Sequence, residues 1–321
     1  MTDSRLLKRF VPIAQSVRAL PGDLRAAKQV PILVVGLPRS GTTWLASTLA
    51  KADGVRYFHE PFNVTLGPEV RAFHMRYVRA ADRDPAFEQH ARAAFAGRGV
   101  YNGHAAPRDA HALQQNLWWP SRHLVKDVHA CLALDWISHH LRPRIVIALR
   151  HPCAMASSWA RLRGRFPDDW HWQGSDAHLQ VLLAQPALMD DHLASYRDVM
   201  NSAKTYFEKL GAFWGASNYV MLQQHERHPD WIVVQHETLC VEPEQAYRTL
   251  FEDLDLRWTQ AIRQQLAGDT TVASDRPYAL KRVSEQEPGK WRDELTEDQA
   301  EQVLRFARPF ELPFDLDFEL A

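Results

Sequence analysis

The segment Val30 to Trp44, VPILVVGLPRSGTTW, limits this chain more than any other stretch. Its first half is short, apolar and β-branched, the pattern of a strand buried on both faces of a parallel sheet. Its second half, from Gly36 to Trp44, is a tight Gly-bounded loop, and the residues from Thr42 to Lys51 suit a helix with Leu45 and Leu49 on one face. Strand, tight loop and helix in this order form an oxyanion cradle. Loop N–H groups and the helix N-terminus supply a positive field. Ser40, Thr42 and Thr43 add hydroxyl donors, and Arg39 adds a cation suited to bidentate contact.

The nucleotide-triphosphatase loop GxxxxGK[ST] has the same glycine spacing as Gly36 and Gly41. That loop places its Lys directly after the second glycine, where it serves the β- and γ-phosphates. Here Thr42 fills the position and the charge sits at Arg39, so the cradle fits a phosphosulfate better than a triphosphate. A kinase-like P-loop phosphotransferase remains the alternative reading.

Further strand signals occur at Tyr57 to Phe62, His123 to Lys126, Arg144 to Leu149 and Trp231 to Val234. Helical patterns alternate with them: mostly across 66–96 with a break at Asp84-Pro85, then Leu132 to His140, from Pro152, about 177–227, Glu242 to Leu254, and Glu297 to Ala307. Such alternation predicts an α/β fold, a P-loop-NTPase-like parallel sheet flanked by helices. No linker composition divides the 321 residues, so the expected organisation is an N-terminal extension (1–29) and one domain (30–321). Helical insertions at about 64–120 and 165–228 are expected to cover the acceptor side.

With 38 basic and 39 acidic side chains the net charge is −1, which argues against a nucleic-acid partner. Three dispersed cysteines, Cys131, Cys153 and Cys240, fit reduced thiols. No apolar run approaches the ~18 residues of a membrane span. The first residues lack a secretory h-region, so the compartment is read as cytoplasmic. Leu6, Leu7 and Phe10 with nearby basic residues leave a peripheral membrane contact open. The histidines lack metal-binding spacing, and no metal site is expected.

GLPRSGTTW resembles the 5′-phosphosulfate loop of sulfotransferases that use 3′-phosphoadenosine 5′-phosphosulfate (PAPS). The form with Arg39 is similar to the tyrosylprotein and carbohydrate branches and their bacterial relatives. The resemblance spans roughly residues 31–62, 123–160 and 231–292. It implies that Arg39, Ser40, Gly41, Thr42 and Thr43 hold the 5′ end of PAPS, and that adenosine 3′,5′-bisphosphate is the product. It also implies that Arg150, at the end of its strand, and Ser158, eight residues on, hold the 3′-phosphate. Gly289-Lys290-Trp291 resembles the cofactor-closing loop, with Lys290 as its cation. Trp44 is read either as the adenine-stacking residue of the family or as a core residue.

Sulfuryl transfer needs a base and cations, and no metal. Glu60, in YFHEPF, is the base candidate. Its apolar neighbours Phe58, Pro61 and Phe62 are expected to desolvate it and raise its pKa. His59 is ranked second because strand alternation should turn it away. Val125-Lys126-Asp127 resembles the Lys-Asp pair that ends a strand in the same branches, with Lys126 on the leaving group. His129 is a fallback base, and Arg39 serves the transferring group. Trp118-Trp119 and Trp170-His171-Trp172 either line an acceptor pocket or pack. The acceptor is a hydroxyl or amine on a carbohydrate, lipid, peptide or small metabolite.

Overall fold

A computed structural model of the chain describes residues 29–97, 122–165, 175–270 and 284–316. The N-terminal stretch carrying Leu6, Leu7 and Phe10, the Trp118-Trp119 pair and Trp170-His171-Trp172 lie outside them. The labelled elements run β1 (Ile32–Gly36), α1 (Thr42–Leu49), β2 (Val55–His59), α2 (Pro85–Phe95), β3 (Arg122–Asp127), α3 (Leu134–Leu141), β4 (Arg144–Leu149) and α4 (Pro152–Arg165). They continue with α5 (Ser175–Leu183), α6 (Tyr206–Glu226), β5 (Ile232–Gln235), α7 (His236–Val241), α8 (Pro243–Asp253) and α9 (Glu297–Ala307). The five strands form one parallel sheet in the order β2-β3-β1-β4-β5. This is the α/β architecture expected from the alternating pattern.

Alternation along the strands explains why both faces are apolar. Leu33, Val35, Val125, Ile145 and Ile147 enter one core, with Phe87, Trp136, Trp159 and Phe213. Ile32, Val34, Leu124, Val146 and Ala148 enter the other, with Trp44, Leu45, Tyr247 and Phe251. Ile32 to Val35 are fully buried, so either face would lose core contacts on truncation. At about 25 cal/mol per Å² of apolar area, burial of this kind is the main stabilising contribution.

Local signals set several boundaries. Asp84 caps α2 by accepting from Phe87 N (3.0 Å), with Pro85 at the first helical position. Capping boxes start α6 (Thr205, Glu208) and α9 (Thr296, Gln299).

The helix expected mostly across 66–96, with a break at Asp84-Pro85, is corrected before the break. Only Pro68–Arg71 and Pro85–Phe95 are α-helical, and 72–84 is irregular chain. Met75 has φ 50°, incompatible with a continuing helix, and tertiary donors replace the missing ladder. His140 Nε2 lies 2.9 Å from Ala80 O, Trp136 Nε1 donates to Asp82 O (3.3 Å), and Met75 N donates to His129 O (2.8 Å).

None of the described helices is long and apolar enough to cross a membrane. Cys131, Cys153 and Cys240 are buried and form no disulfide.

Candidate active site

Parallel strands deliver their following loops to one edge, and at a switch in strand order those loops flank a crevice. Here β1 lies between β3 and β4. The β1 loop carries Arg39 to Gly41, β3 ends in Lys126-Asp127, β4 runs into Arg150, and β2 runs into Glu60. All the principal candidates therefore emerge at the same sheet edge.

The β1 loop depends on its glycines. A Cβ on Gly36 would sit 2.4 Å from the Ala148 carbonyl oxygen of β4. Gly41 has φ 81°, and a Cβ there would meet the buried His236 ring at 2.2 Å. Gly41→Ala is therefore expected to destabilise the fold by about 1–3 kcal/mol, the range for overpacking. Thermal unfolding should report this, and His236→Ala in the same chain should recover part of the loss.

The loop also fits an oxyanion. Ser40 Oγ is buried without a hydrogen-bond partner among the described residues. α1 is preceded by Gly41 at its cap position, with no side-chain cap and no acidic residue in its first turn, so its N–H groups suit an anionic guest. Thr42 is buried beside Ser40 in sequence, and Thr43 is partly accessible.

The second half of the site is tied directly to the first. Arg150 Nη1 donates to Arg39 O (2.9 Å), and Arg39 Nε donates to Ser158 Oγ (2.9 Å). Trp159 Nε1 donates to Pro38 O (3.1 Å). Arg39 thus rests against the β4 side, in contact with Ser158. Lys290 approaches the same place through Glu287, whose carboxylate oxygens lie 3.8 Å from Lys290 Nζ and 4.0 Å from Arg150 Nη2. Trp291 is stacked on His151 at 5.0 Å and 8°, which seats the Lys290 turn beside Arg150. Glu237 accepts from His151 N (2.9 Å), and burial pushes its carboxyl pKa up.

On the other side, β2 and β3 place His59 opposite Lys126. Glu60 N extends their pairing by donating to Lys126 O (2.7 Å). The Glu60 and Lys126 side chains form a buried ion pair, and Asn63 Nδ2 donates to Glu60 Oε2 (2.6 Å). Two imidazoles complete the surroundings. His59 Nε2 lies 3.7 Å from Glu60 Oε1, and His129 Nε2 lies 3.9 Å from Glu60 Oε2. Asp127 holds the turn beneath them, accepting from Phe62 N (2.8 Å), His129 N (2.6 Å) and Ala130 N (3.1 Å).

A sequence model of the sulfotransferase family matches residues 31–260. The chain belongs to that family. No curated protein matches this sulfotransferase in sequence. Among solved structures, it is similar to the sulfotransferase domain from the curacin biosynthetic pathway, at 16% identity and a TM-score of 0.50, covering 91% of this chain and 99% of that one. A sulfotransferase from Alicyclobacillus acidocaldarius is 15% identical, with a TM-score of 0.43 and coverage of 88% and 92%. Mouse sulfotransferase SULT7A1, complexed with PAP, is 11% identical, with a TM-score of 0.40 and coverage of 88% of each chain.

Three sequence-based expectations for this sulfotransferase need correction. The first is the pKa of Glu60. Burial does push it up, but Lys126, with help from His129 and His59, outweighs burial and holds the carboxyl well below its ordinary value. Second, His59 faces Glu60 rather than turning away. Glu60 leaves the strand at φ 49°, so alternation stops before it. Third, the Trp44 ring is packed in the core, 2% exposed and edge-on to Tyr247 (5.4 Å) and His236 (5.8 Å). An indole enclosed this way offers no face to a nucleobase, so the core alternative describes it.

Several neighbours of the site were not singled out from sequence: Asn63, His74, Trp159, Glu237 and Glu287. Glu287 stands three residues before Lys290 and could have been read as its i,i+3 partner. Asn63, three residues after Glu60, is likewise a local partner, whereas His74, Trp159 and Glu237 depend on distant segments meeting. Among the described residues there is no group of three potential ligands able to hold a metal ion.

Proposed function

We propose that this sulfotransferase moves a sulfuryl group from PAPS to a hydroxyl or amine acceptor, with Glu60 as general base. The observation that carries the reading is the largely buried Glu60–Lys126 pair, with Lys126 on β3, the strand paired with β1, and Glu60 directly after β2. It sets an anionic proton acceptor and a cation side by side, next to an oxyanion cradle. Bound PAPS would supply the sulfuryl group and a phosphate leaving group.

Glu60 would take the acceptor's proton at a carboxylate oxygen as the new bond to sulfur forms. The Lys126 ammonium would offset charge on the departing phosphate. As Lys126 turns to that charge it releases Glu60, whose basicity rises when its strongest partner is withdrawn. Arg39 would offset charge on the transferring group. Ser40, Gly41, Thr42 and Thr43 would hold the 5′ end, with Arg150, Ser158 and Lys290 at the 3′-phosphate. These groups belong to one domain spanning 30–321 in this reading. The kinase-like alternative gains no support, because Thr42 stands where that chemistry needs Lys.

The test is transfer of radiolabelled sulfate from PAPS to acceptor pools of carbohydrate, lipid, peptide and small metabolites. Tight binding of adenosine 3′,5′-bisphosphate without binding of ATP and magnesium is expected, and the reverse would refute the reading. Arg150→Ala should weaken the 3′-phosphorylated nucleotide by about 1.5–3 kcal/mol, the scale of a charged hydrogen bond. It should leave an analogue lacking that phosphate nearly unaffected. Calorimetric titration of both nucleotides checks this, and equal losses would remove the assignment.

A further inference from the structure

A chain of three side chains reaches away from the reacting edge: Glu60, His129 and His74. His129 follows β3 in the turn fixed by Asp127, and it is 2% exposed. The irregular segment after Arg71 docks on it through Met75 N, which donates to His129 O (2.8 Å). That contact brings the largely buried His74 ring alongside His129, with centroids 4.9 Å apart and the two Nδ1 atoms 2.8 Å apart. The opposite nitrogen of His129, Nε2, lies 3.9 Å from Glu60 Oε2.

Two nitrogens at 2.8 Å must share one proton. A neutral imidazole carries one N–H and one lone pair, so one Nδ1 donates and the other accepts. Suppose His129 donated. A neutral His129 would then turn its Nε2 lone pair toward the Glu60 carboxylate, which the Lys126 ion pair keeps anionic, and the two would repel. Suppose His74 donates. His129 Nδ1 is then the acceptor, its proton sits on Nε2, and that N–H faces the carboxylate. Of the two neutral arrangements, the second is the one favourable at both ends. Other groups against the pair are Asp127 near His129 and His178, whose ring is 5.6 Å from His74.

We infer that His74 is a positioning residue whose Nδ1–H, donated to His129 Nδ1, locks His129 in the tautomer with its Nε2–H toward Glu60. The catalytic consequence rests on the reading of Glu60 as the base. With its Nε2 already protonated, His129 cannot take the acceptor's proton there. It acts on Glu60 instead, steadying the carboxylate from the side opposite Lys126.

The experiment is nitrogen NMR of the whole chain labelled at histidine, with His129 assigned by loss of its signals in His129→Gln. The expected pattern is a bare Nδ1 and a protonated Nε2. A proton on Nδ1, or on both nitrogens, overturns the inference, and this readout needs only the unmutated fold. In His74→Leu the single tautomer should be lost, with kcat lowered about tenfold, as when an outer partner of a working side chain is removed. KM for PAPS should hold. His74→Asn, whose amide can donate in place of Nδ1–H, should recover both the tautomer and the rate, and equal damage by both substitutions counts against the assignment. If the tautomer is as stated while Glu60→Gln keeps full activity, the lock stands and the base assignment falls.

Discussion

Glu60→Gln should lower kcat for sulfate transfer by about 10²- to 10⁴-fold, the range expected when a positioned general base is lost. The substitution keeps the side chain's shape and an oxygen to accept from Asn63 Nδ2. It removes the charge and the proton-accepting carboxylate. Glu60 leaves β2 through its backbone bond to Lys126 O, which the substitution does not touch, so the crevice should keep its form. Binding of adenosine 3′,5′-bisphosphate, followed by calorimetry, should be unchanged. Activity near the unmutated level would move the base elsewhere. A parallel collapse of nucleotide binding would mean that Glu60 shapes the cradle instead of serving the acceptor.

Lys126→Met should be the more damaging change to the fold. It strands a largely buried carboxylate beside a methionine of similar length. Breaking a buried pair from one side costs on the order of 3 kcal/mol, and His129, His59 and Asn63 keep the loss at the low end of the usual range. The pH dependence distinguishes this from simple loss of packing. In the unmutated chain Glu60 titrates below its ordinary value of 4.5. Its contribution to stability is present above that pH and is lost as pH falls through the lower folded value. Without Lys126, burial becomes the larger influence and the carboxyl titrates above 4.5. The variant then loses stability as pH rises toward neutrality. The gap between the two proteins should be wide at pH 7 and narrow toward pH 4, as urea unfolding at both values would show. A gap independent of pH would mean that the ion pair is not its source. Transfer activity should fall in the variant, because the departing phosphate loses the Lys126 ammonium that would offset its charge.

The features legible in the sequence share a property: each is carried by a few consecutive residues. The buried strand and Gly-bounded turn from Ile32 to Thr42 could be read because strand period, glycine spacing and hydroxyl density coincide in one segment. Arg150 and Ser158 were accessible for the same reason, through a strand end and two helical turns. What stayed hidden depends on chain segments that meet only after folding. The pKa of Glu60 was expected in the wrong direction because Phe58 and Phe62 are its sequence neighbours, while Lys126 lies 66 positions away and arrives through β2–β3 pairing. His59 was turned the wrong way because the alternation rule was carried one residue past the end of β2, to a Glu60 with positive φ. His74 sits in a stretch with helix-like composition, and nothing local announces that Met75, Ala80 and Asp82 around it bond to His129 and α3 instead of to a helical ladder.

The hydrogen bonds accepted by the Pro38 and Arg39 carbonyls have a practical meaning for anyone wishing to borrow this loop. Two of its carbonyls are gripped by Trp159 and Arg150, which belong to another strand–helix unit. The nine residues GLPRSGTTW are therefore not a portable cassette. Grafted onto a foreign scaffold without that indole and that guanidinium, they would carry the right letters and lack the clamp that gives them their shape.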